Sequence, residues 1–433
     1  MITRLRAHAA QPMIRGALGL MTSNTLSTVL GMVFWIVAAR LYASSTVGRD
    51  AALVVGMVTV SSVAQLNLYN GLLRFLPALR GTARGALVRA YAATTALSVV
   101  LAGAFALLVP SLAPQLDVLR HDPLTAAAFV AGTAGWTIFT LQDAALTVLR
   151  RPAWLVAENV SFGVARLAVL GTAAALHFRD GPLVAWLIPM AILVLPVNLA
   201  IFRRALPAHV ALPAPAGASP RRRALAFMGF DYAASLLSQA TLIALPIAIV
   251  AFSGTARYAH FAIAFTIVTA FDLVIFDATA ALTVEGAFAS SRLRALALTT
   301  IRTFGGPLLL GTAVLLAAGA LILAPFGGSY VRDGLDVLRL LAATCVFRAA
   351  LALGAALMRV KGQGLRLLLT QAAVNGLTVG LALVWGPRMG PSGVALAWLV
   401  AHAAIAVPMM AWIVAQLHPL RRGARALAVK PST

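Results

Sequence analysis

The sequence predicts an all-α integral membrane protein with about twelve transmembrane helices, arranged as two six-helix bundles around a central cavity. The first observation is composition: of 433 residues, 61% are hydrophobic and 11% are charged, and the mean hydropathy is +0.92. These values lie far outside the range of soluble globular domains. The other two observations are the recurrence of long apolar stretches and the placement of the basic residues.

The apolar stretches have the length of membrane spans, because a helix needs about 20 residues to cross a hydrocarbon layer ~30 Å thick. The first, Ala17 to Tyr42, is too long for the core of a signal peptide and is predicted to be retained as a span. The predicted spans are 17–42, 51–73, 87–109, 124–149, 153–178, 182–202, 225–252, 258–285, 303–326, 335–359, 364–386 and 392–417.

The basic residues are distributed unevenly between the two sides of this alternation. Most of the 34 Lys and Arg residues fall in the termini and in the connections that share a side with the N-terminus. The positive-inside rule therefore places both termini in the cytoplasm, in a multi-pass protein of the cell (inner, cytoplasmic) membrane. We attribute the net charge of +22 to this topology and expect no nucleic-acid partner.

One connection differs in composition from the rest. The stretch "RRALPAHVALPAPAGASPRRRA", Arg203 to Ala224, is rich in Pro and Ala and is bracketed by arginines. It predicts a flexible cytoplasmic linker between an N-terminal bundle, 1–202, and a C-terminal bundle, 225–417, with a basic cytoplasmic tail at 418–433. Six helices followed by six are typical of transporters built from an internal repeat, with the substrate between the halves.

The connections also argue against an enzyme. The predicted outer loops are too short to form a catalytic domain, and the sequence has no phosphate-binding loop, H-E-x-x-H or G-x-S-x-G motif. The single cysteine, Cys345, excludes an intrachain disulfide and any multi-cysteine metal site. We therefore predict no catalytic residues, no metal and no cofactor.

Polar residues recur along one side of several predicted spans. Because lipid cannot form hydrogen bonds, such residues should face protein or water. Hydrogen bonds between packed helices would explain the hydroxyl residues, whereas long amides and charges in both halves favour a hydrated central cavity. The stripes are Ser62, Gln65, Asn67 and Asn70; Thr137, Thr140, Asp143 and Thr147; Asp231, Ser235 and Ser238; and Gln371, Asn375 and Thr378.

Charged residues lie deep in some spans, where a charge costs ~2.5 to 3.5 kcal/mol on insertion scales. Arg166 and Arg348 lie near the middle of the fifth and tenth spans. Glu158 is on the same side of its helix as Arg166, but the two are ~12 Å apart along the axis, too far to pair directly. Asp272 and Asp277 lie inside the eighth span, and Glu285 lies at its end as an interfacial anchor.

The intramembrane acids are candidates for coupling to protons or other cations. For Asp272 and Asp277 this role and a structural ion pair are equally open. Asp143 and Glu158 are the corresponding candidates in the first half.

Two motifs carry a family resemblance. In "AARLYASSTVGRDA", Ala38 to Ala51, and "GLLRFLP", Gly71 to Pro77, the sequence resembles the polysaccharide flippases of the multidrug, oligosaccharidyl-lipid and polysaccharide exporter superfamily. The matching residues are Ala39, Arg40, Gly48, Gly71 and Arg74; the sequence departs from the pattern at Tyr42, Arg49 and Asp50. The motifs cover the first quarter of the chain, and the twelve-span plan extends the resemblance along it.

The resemblance implies a transporter that flips a polyprenyl-diphosphate-linked oligosaccharide from the inner to the outer leaflet by alternating access. Arg166 and Arg348 are then the candidates for contact with the diphosphate, since guanidinium groups bind phosphate oxygens in pairs. Arg40 and Arg74, at opposite faces, would serve entry and exit or would anchor the chain to lipid headgroups. Membrane lipids and envelope polysaccharide assembly proteins are the other implied partners.

Two further functions stay open at this point. A cation-coupled exporter of drugs or metabolites from the same superfamily would carry a cavity dominated by acids. A membrane-embedded glycosyltransferase or polysaccharide polymerase would carry a large outer loop with acidic catalytic residues, which the sequence does not contain.

Overall fold

The computed structural model describes residues 12–66, 68, 72, 83–149, 151–207, 222–288 and 292–417. Long helices dominate these residues, and one of them overlaps each predicted span. They are α1 (Pro12–Leu41), α2 (Ser44–Ala64), α3 (Ala83–Leu112), α4 (Pro123–Val148), α5 (Pro152–Ala175), α6 (Gly181–Ala200), α7 (Arg222–Ser253), α8 (Thr255–Phe288), α9 (Leu293–Ala317), α10 (Gly328–Val360), α11 (Gly364–Met389) and α12 (Pro391–Leu417).

Helices α2 to α12 are each long and apolar enough to cross a membrane. The described side chains of α1 form a shorter apolar segment, Leu26–Leu41. A π-helical turn, Ile201–Ala205, continues α6, and short helical turns at Pro114–Leu116, Val118–His121, Gly319–Leu323 and Ala324–Phe326 lie in two connections. No strand occurs in the described ranges, so the predicted all-α membrane fold is confirmed.

Proline and glycine mark several of the boundaries between helices. Proline occupies the first helical position of α4, α5 and α12, where its missing N–H is not needed. Gly254, between α7 and α8, has φ +83°, and Gly390, between α11 and α12, has φ +62°. Because this left-handed region suits glycine, each allows the chain to reverse direction within one or two residues.

The helices of the two halves make the same set of contacts with one another. In the first half α1 contacts α5, α5 contacts α6, α3 contacts α4, and α2 contacts α4. In the second half the same contacts recur six helices later, as α7 with α11, α11 with α12, α9 with α10, and α8 with α10. The structure therefore consists of two six-helix bundles with an internal repeat at the level of packing.

The exact domain boundaries stay a prediction. Most of the linker, 203–224, and all of the tail, 418–433, lie outside the described residues.

The halves meet mainly where α2 packs against α8. The contact is closest at Gly48, near the start of α2, where a Cβ atom would lie 1.8 Å from the carbonyl oxygen of Thr255. This is the end of the molecule that the topology predicts to face outward. Toward the other end α2 also contacts α7, and the Tyr232 hydroxyl donates to the Val63 carbonyl oxygen over 3.2 Å.

The hydrophobic cores follow the same division. One large cluster joins both halves and includes Met57 of α2, Ile249 of α7 and Phe261 of α8. Two other clusters each belong to one half and lie nearer the predicted inner end: one includes Leu87 and Leu146, and the other Leu282 and Met358. The cores are thus continuous at the predicted outer end and separate at the predicted inner end.

We predict that Gly48→Ala separates α2 from α8 and destabilises the fold. The added methyl group would overlap the Thr255 carbonyl, and overpacking of this kind costs about 1 to 3 kcal/mol. Thermal unfolding of the purified protein measures the effect as a lower midpoint. Gly103→Ala in α3 is the matched control, because nothing lies within 4 Å of the place that its Cβ atom would take, and it should be neutral. Equal midpoints for the two variants would contradict the close contact at Gly48.

Candidate functional site

A cavity of about 390 Å³ lies between the two halves. Residues of α1, α4, α5 and α6 form one side, and residues of α8 in the second half form the other. Its wall includes Thr28, Trp35, Trp136, Asn159, Arg166 and Thr269. We call this cavity the first chamber.

Arg166 of α5 is the charged residue in the wall of the first chamber, and its environment is aromatic. The residue is 6% exposed, and its guanidinium carbon lies 5.1 Å from the ring centre of Phe34, 5.3 Å from that of Phe162 and 5.2 Å from that of Trp186. Within the described part of the chain, no carboxylate lies within ion-pair distance of it, and Nε has no hydrogen-bond partner. The positive charge is therefore stabilised by ring faces and not neutralised by an acid.

A second chamber of about 460 Å³ lies within the second half, between α7, α8, α10, α11 and α12. Its wall includes Arg348, Arg359, Gln371, Asn375, Trp398 and His402. Thr269 of α8 lines both chambers. The first chamber lies between the halves, where the central cavity is predicted, and the second lies on the other side of α8, within the second half.

Both arginines of the second chamber are paired with acids. Arg348 forms an ion pair with Asp272 of α8, whose side chain is 1% exposed. Arg359 Nε lies 2.9 Å from Asp231 Oδ1 of α7. The two ion pairs of this chamber thus cancel in formal charge, whereas Arg166, among the described residues that line the first chamber, has no acid paired with it.

Asp143 and Glu158 lie beside the first chamber. Asn159, in the chamber wall, donates from Nδ2 to Asp143 Oδ1 over 3.2 Å. Glu158 is 3% exposed, and neither of its carboxylate oxygens has a hydrogen-bond partner among the described residues. Their assignment to ion coupling stays a prediction, but the structure brings both acids to one region behind the chamber wall.

Arg40 binds the opposite half of the molecule. Its guanidinium donates to the carbonyl oxygens of Pro325 and Ala324, over 2.6 Å and 3.0 Å, in the connection between α9 and α10. Neither of the roles expected for Arg40, substrate entry or headgroup anchoring, includes this contact, which ties the halves together at the predicted outer end.

The remaining candidates are dispersed. Asp277 is exposed and has no ion-pair partner in the ranges the structure describes, and Glu285 is likewise exposed near the end of α8. Arg74 lies outside the described residues.

The polar stripes divide between packing and cavity. Thr137 Oγ1 donates to Ser61 Oγ over 3.0 Å, and Gln65 Nε2 donates to Thr140 Oγ1 over 2.8 Å, so this set joins α2 to α4. For these residues helix-to-helix hydrogen bonding is the correct explanation. Ser238, Gln371 and Asn375 line the second chamber, and Asn375 Nδ2 also donates to Ser238 Oγ over 3.4 Å, so this set combines a place in the cavity wall with a hydrogen bond between α11 and α7. That the chamber is hydrated stays a prediction.

The aromatic residues around Arg166 were not predicted from the sequence. Phe34 and Trp186 belong to α1 and α6, so no spacing within one helix relates them to Arg166. In the sequence these residues share with Arg166 only a similar depth in their spans, and depth alone does not identify which residues are in contact.

We predict that Arg348→Met destabilises the protein more than Arg166→Met. The first change leaves Asp272 buried without its counter-ion, which costs about 3 kcal/mol, whereas the second leaves no acid unpaired. The measurement is the thermal unfolding midpoint of each purified variant. Adding Asp272→Asn to Arg348→Met should restore most of the loss. An Arg166→Met variant that unfolds at the lower temperature would show that Arg166 is the structural residue of the two.

No known protein-family model matches the chain, and no curated protein matches it in sequence. Solved structures do share its fold. An inward-facing conformation of a multidrug resistance MATE family transporter of the MOP superfamily is 16% identical and has a TM-score of 0.70, over 92% of this chain and 96% of that one. An outward-facing conformation of such a transporter, also 16% identical, has a TM-score of 0.65 over 94% and 95% of the two chains.

A third structure is a MOP superfamily transporter from Pyrococcus furiosus, for which a reverse polarity of the binding pocket is described. It is 16% identical and has a TM-score of 0.59 over 94% of this chain and 95% of that one. At this identity the similarity concerns the fold. The chain has the fold of MOP superfamily transporters, the superfamily that its motifs resemble, and membership of the polysaccharide flippase family stays a prediction.

Proposed function

We propose that the chain is a membrane transporter that flips a polyprenyl-diphosphate-linked oligosaccharide from the inner to the outer leaflet by alternating access, for envelope polysaccharide export. The observation that carries the proposal is Arg166, a buried guanidinium without a carboxylate partner among the described residues, in a chamber between the two halves.

An uncompensated guanidinium favours an anionic ligand. It presents several N–H donors in a rigid plane that fits phosphate oxygens, and a bound anion would supply the charge that the chamber lacks. A cationic ligand would be repelled at the same place. Trp35 and Trp136 line the same chamber and add aromatic surface, against which sugar rings can pack.

With both ion pairs intact, the second chamber suits an uncharged, hydrated group. Its arginines are paired with acids, and Ser238, Gln371 and Asn375 supply hydroxyl and amide groups. Side chains that both donate and accept hydrogen bonds match the hydroxyl groups of a saccharide. Together the chambers accommodate the two chemical parts of a diphosphate-linked glycan.

The packing of the halves supports alternating access. Their cores are joined at the predicted outer end and separate at the predicted inner end, which is the arrangement expected for admission of a substrate from the inner leaflet. The similarity to both inward-facing and outward-facing structures supports a second arrangement of the same helices. Cytoplasmic termini, the inner membrane as location, and envelope assembly proteins as partners belong to this proposal.

A cation-coupled exporter of drugs or metabolites is the second candidate. Glu158, buried without a hydrogen-bond partner among the described residues and close to Asp143, is the observation that favours it, together with the fold shared with MATE transporters. In that case the acids behind the chamber would receive the cation, and Arg166 would be an obstacle to a cationic substrate.

Deletion of the gene should leave lipid-linked oligosaccharide in the inner leaflet. The charged headgroup cannot cross the bilayer unaided, because desolvating it is too costly. Extraction of the lipid-linked pool and surface labelling of glycan measure the two sides of the step. Normal surface glycan in a deletant without a redundant transporter would contradict the flippase proposal.

Arg166→Gln should reduce export at least tenfold, and Arg166→Lys should retain part of it, since loss of a charge-assisted hydrogen bond costs about 1.5 to 3 kcal/mol. Surface glycan in the complemented deletant is the readout. Arg388→Gln, which changes an exposed arginine at the end of α11, is the matched control. If Arg166→Gln instead leaves glycan export intact and Glu158→Gln abolishes efflux of a cationic dye, the second candidate replaces the first.

A further inference from the structure

We propose that Asp272 is an exchangeable counter-ion: an anionic group of the substrate takes Arg348 away from Asp272, and Asp272 then binds a proton. The inference deepens the proposed function and rests on it, because the exchange needs an anionic ligand. It gives the diphosphate end of the substrate a second contact, at Arg348 in the second chamber, in addition to Arg166 in the first, and links that second contact to a proton.

The ion pair is placed so that a ligand reaches the arginine first. Arg348, on α10, is 14% exposed and forms part of the chamber wall. Asp272, on α8, is 1% exposed and is not part of that wall. An anion in the chamber therefore meets the guanidinium, while the carboxylate stays behind it in the protein interior.

The geometry of the pair favours exchange. The two groups are within ion-pair distance, but neither carboxylate oxygen of Asp272 has a partner in hydrogen-bond geometry among the described residues. The faces of the guanidinium are held by Phe276 and Trp398, whose ring centres lie 5.7 Å and 5.8 Å from its central carbon. The guanidinium can therefore redirect the N–H groups at its edge from one anion to another while its faces stay packed against the two rings.

A carboxylate deprived of this arginine would be a buried, unpaired charge. The free-energy cost of such a charge is large, and a group in this position is neutralised instead. In the described part of the chain, the titratable side chains next to Asp272 are Arg348 and Cys345 of α10, and His402 of α12 lines the same chamber as Arg348. None of these supplies Asp272 with a second fixed cation.

The proton balance follows directly. A proton taken up from bulk water forms an O–H bond with Asp272, and one phosphate oxygen of the substrate becomes the counter-ion of Arg348. The charge of the diphosphate enters the chamber together with one proton. The net negative charge that the substrate adds to the protein is therefore reduced by one.

The other ion pair of the chamber provides an internal comparison. Arg359 and Asp231 are 39% and 29% exposed, and Arg359 Nε donates to Asp231 Oδ1 over 2.9 Å. Because Asp231 reaches solvent, it can lose its arginine and remain charged. An exchange at this pair needs no proton.

The test is isothermal titration of the purified full-length protein in lipid nanodiscs with farnesyl diphosphate, in buffers of different ionisation enthalpy. Wild-type protein should take up about one proton per ligand bound. Asp272→Asn should bind without this uptake and about tenfold more tightly, since the ligand no longer competes with the carboxylate. Asp231→Asn should keep the wild-type proton uptake.

Proton uptake that is absent in wild type, or unchanged in Asp272→Asn, would overturn the exchange while leaving diphosphate binding, and with it the proposed function, in place. The double variant Arg348→Met with Asp272→Asn should bind at least tenfold more weakly than Asp272→Asn alone; equal affinity would remove Arg348 from the site. If wild type does not bind the probe at all, the inference falls together with the flippase proposal.

Discussion

A cation held at the depth of the hydrocarbon layer must be hydrated, paired with an acid or packed against aromatic faces, and this constraint organises the interior of the protein. Arg166 is held by three rings from α1, α5 and α6, which draws these helices around one side of the first chamber. Arg348 is held by an acid from α8 and rings from α8 and α12. Each chamber contains one deep arginine, but Arg348 is paired with an acid and Arg166 is packed against aromatic rings without one among the described residues.

The spans were predictable because the thickness of the hydrocarbon fixes the length of an apolar stretch. The first and last residues of the helices were less predictable. Helix α9 begins at Leu293 and α10 at Gly328, about three and two helical turns before their predicted apolar stretches at 303 and 335. Hydropathy detects only the part of a helix that lies in lipid, whereas the backbone hydrogen bonds continue through polar residues that lie beyond it.

The sequence predicted how deep in the membrane the charged residues lie, but not which of them form ion pairs. The geometry of a single helix was enough to show that Glu158 and Arg166 do not pair, because both lie on α5. The partner of Arg348 lies on another helix, and only the packing of α8 on α10 selects Asp272 and leaves Asp277 exposed. The contact of Arg40 with two backbone carbonyls carries no sequence signal, since any residues at 324 and 325 would offer the same oxygens.

The hydrophobic core shared by both halves determines how the rate of any motion that opens the outer end depends on temperature. Such a motion must bring apolar side chains of α2, α7 and α8 into water, at about 25 cal/mol for each Å² exposed. Hydration of apolar surface raises the heat capacity, so the activation enthalpy of opening changes with temperature. The rate of this motion should then follow a curved Arrhenius plot, with the curvature set by the apolar area that the two halves share.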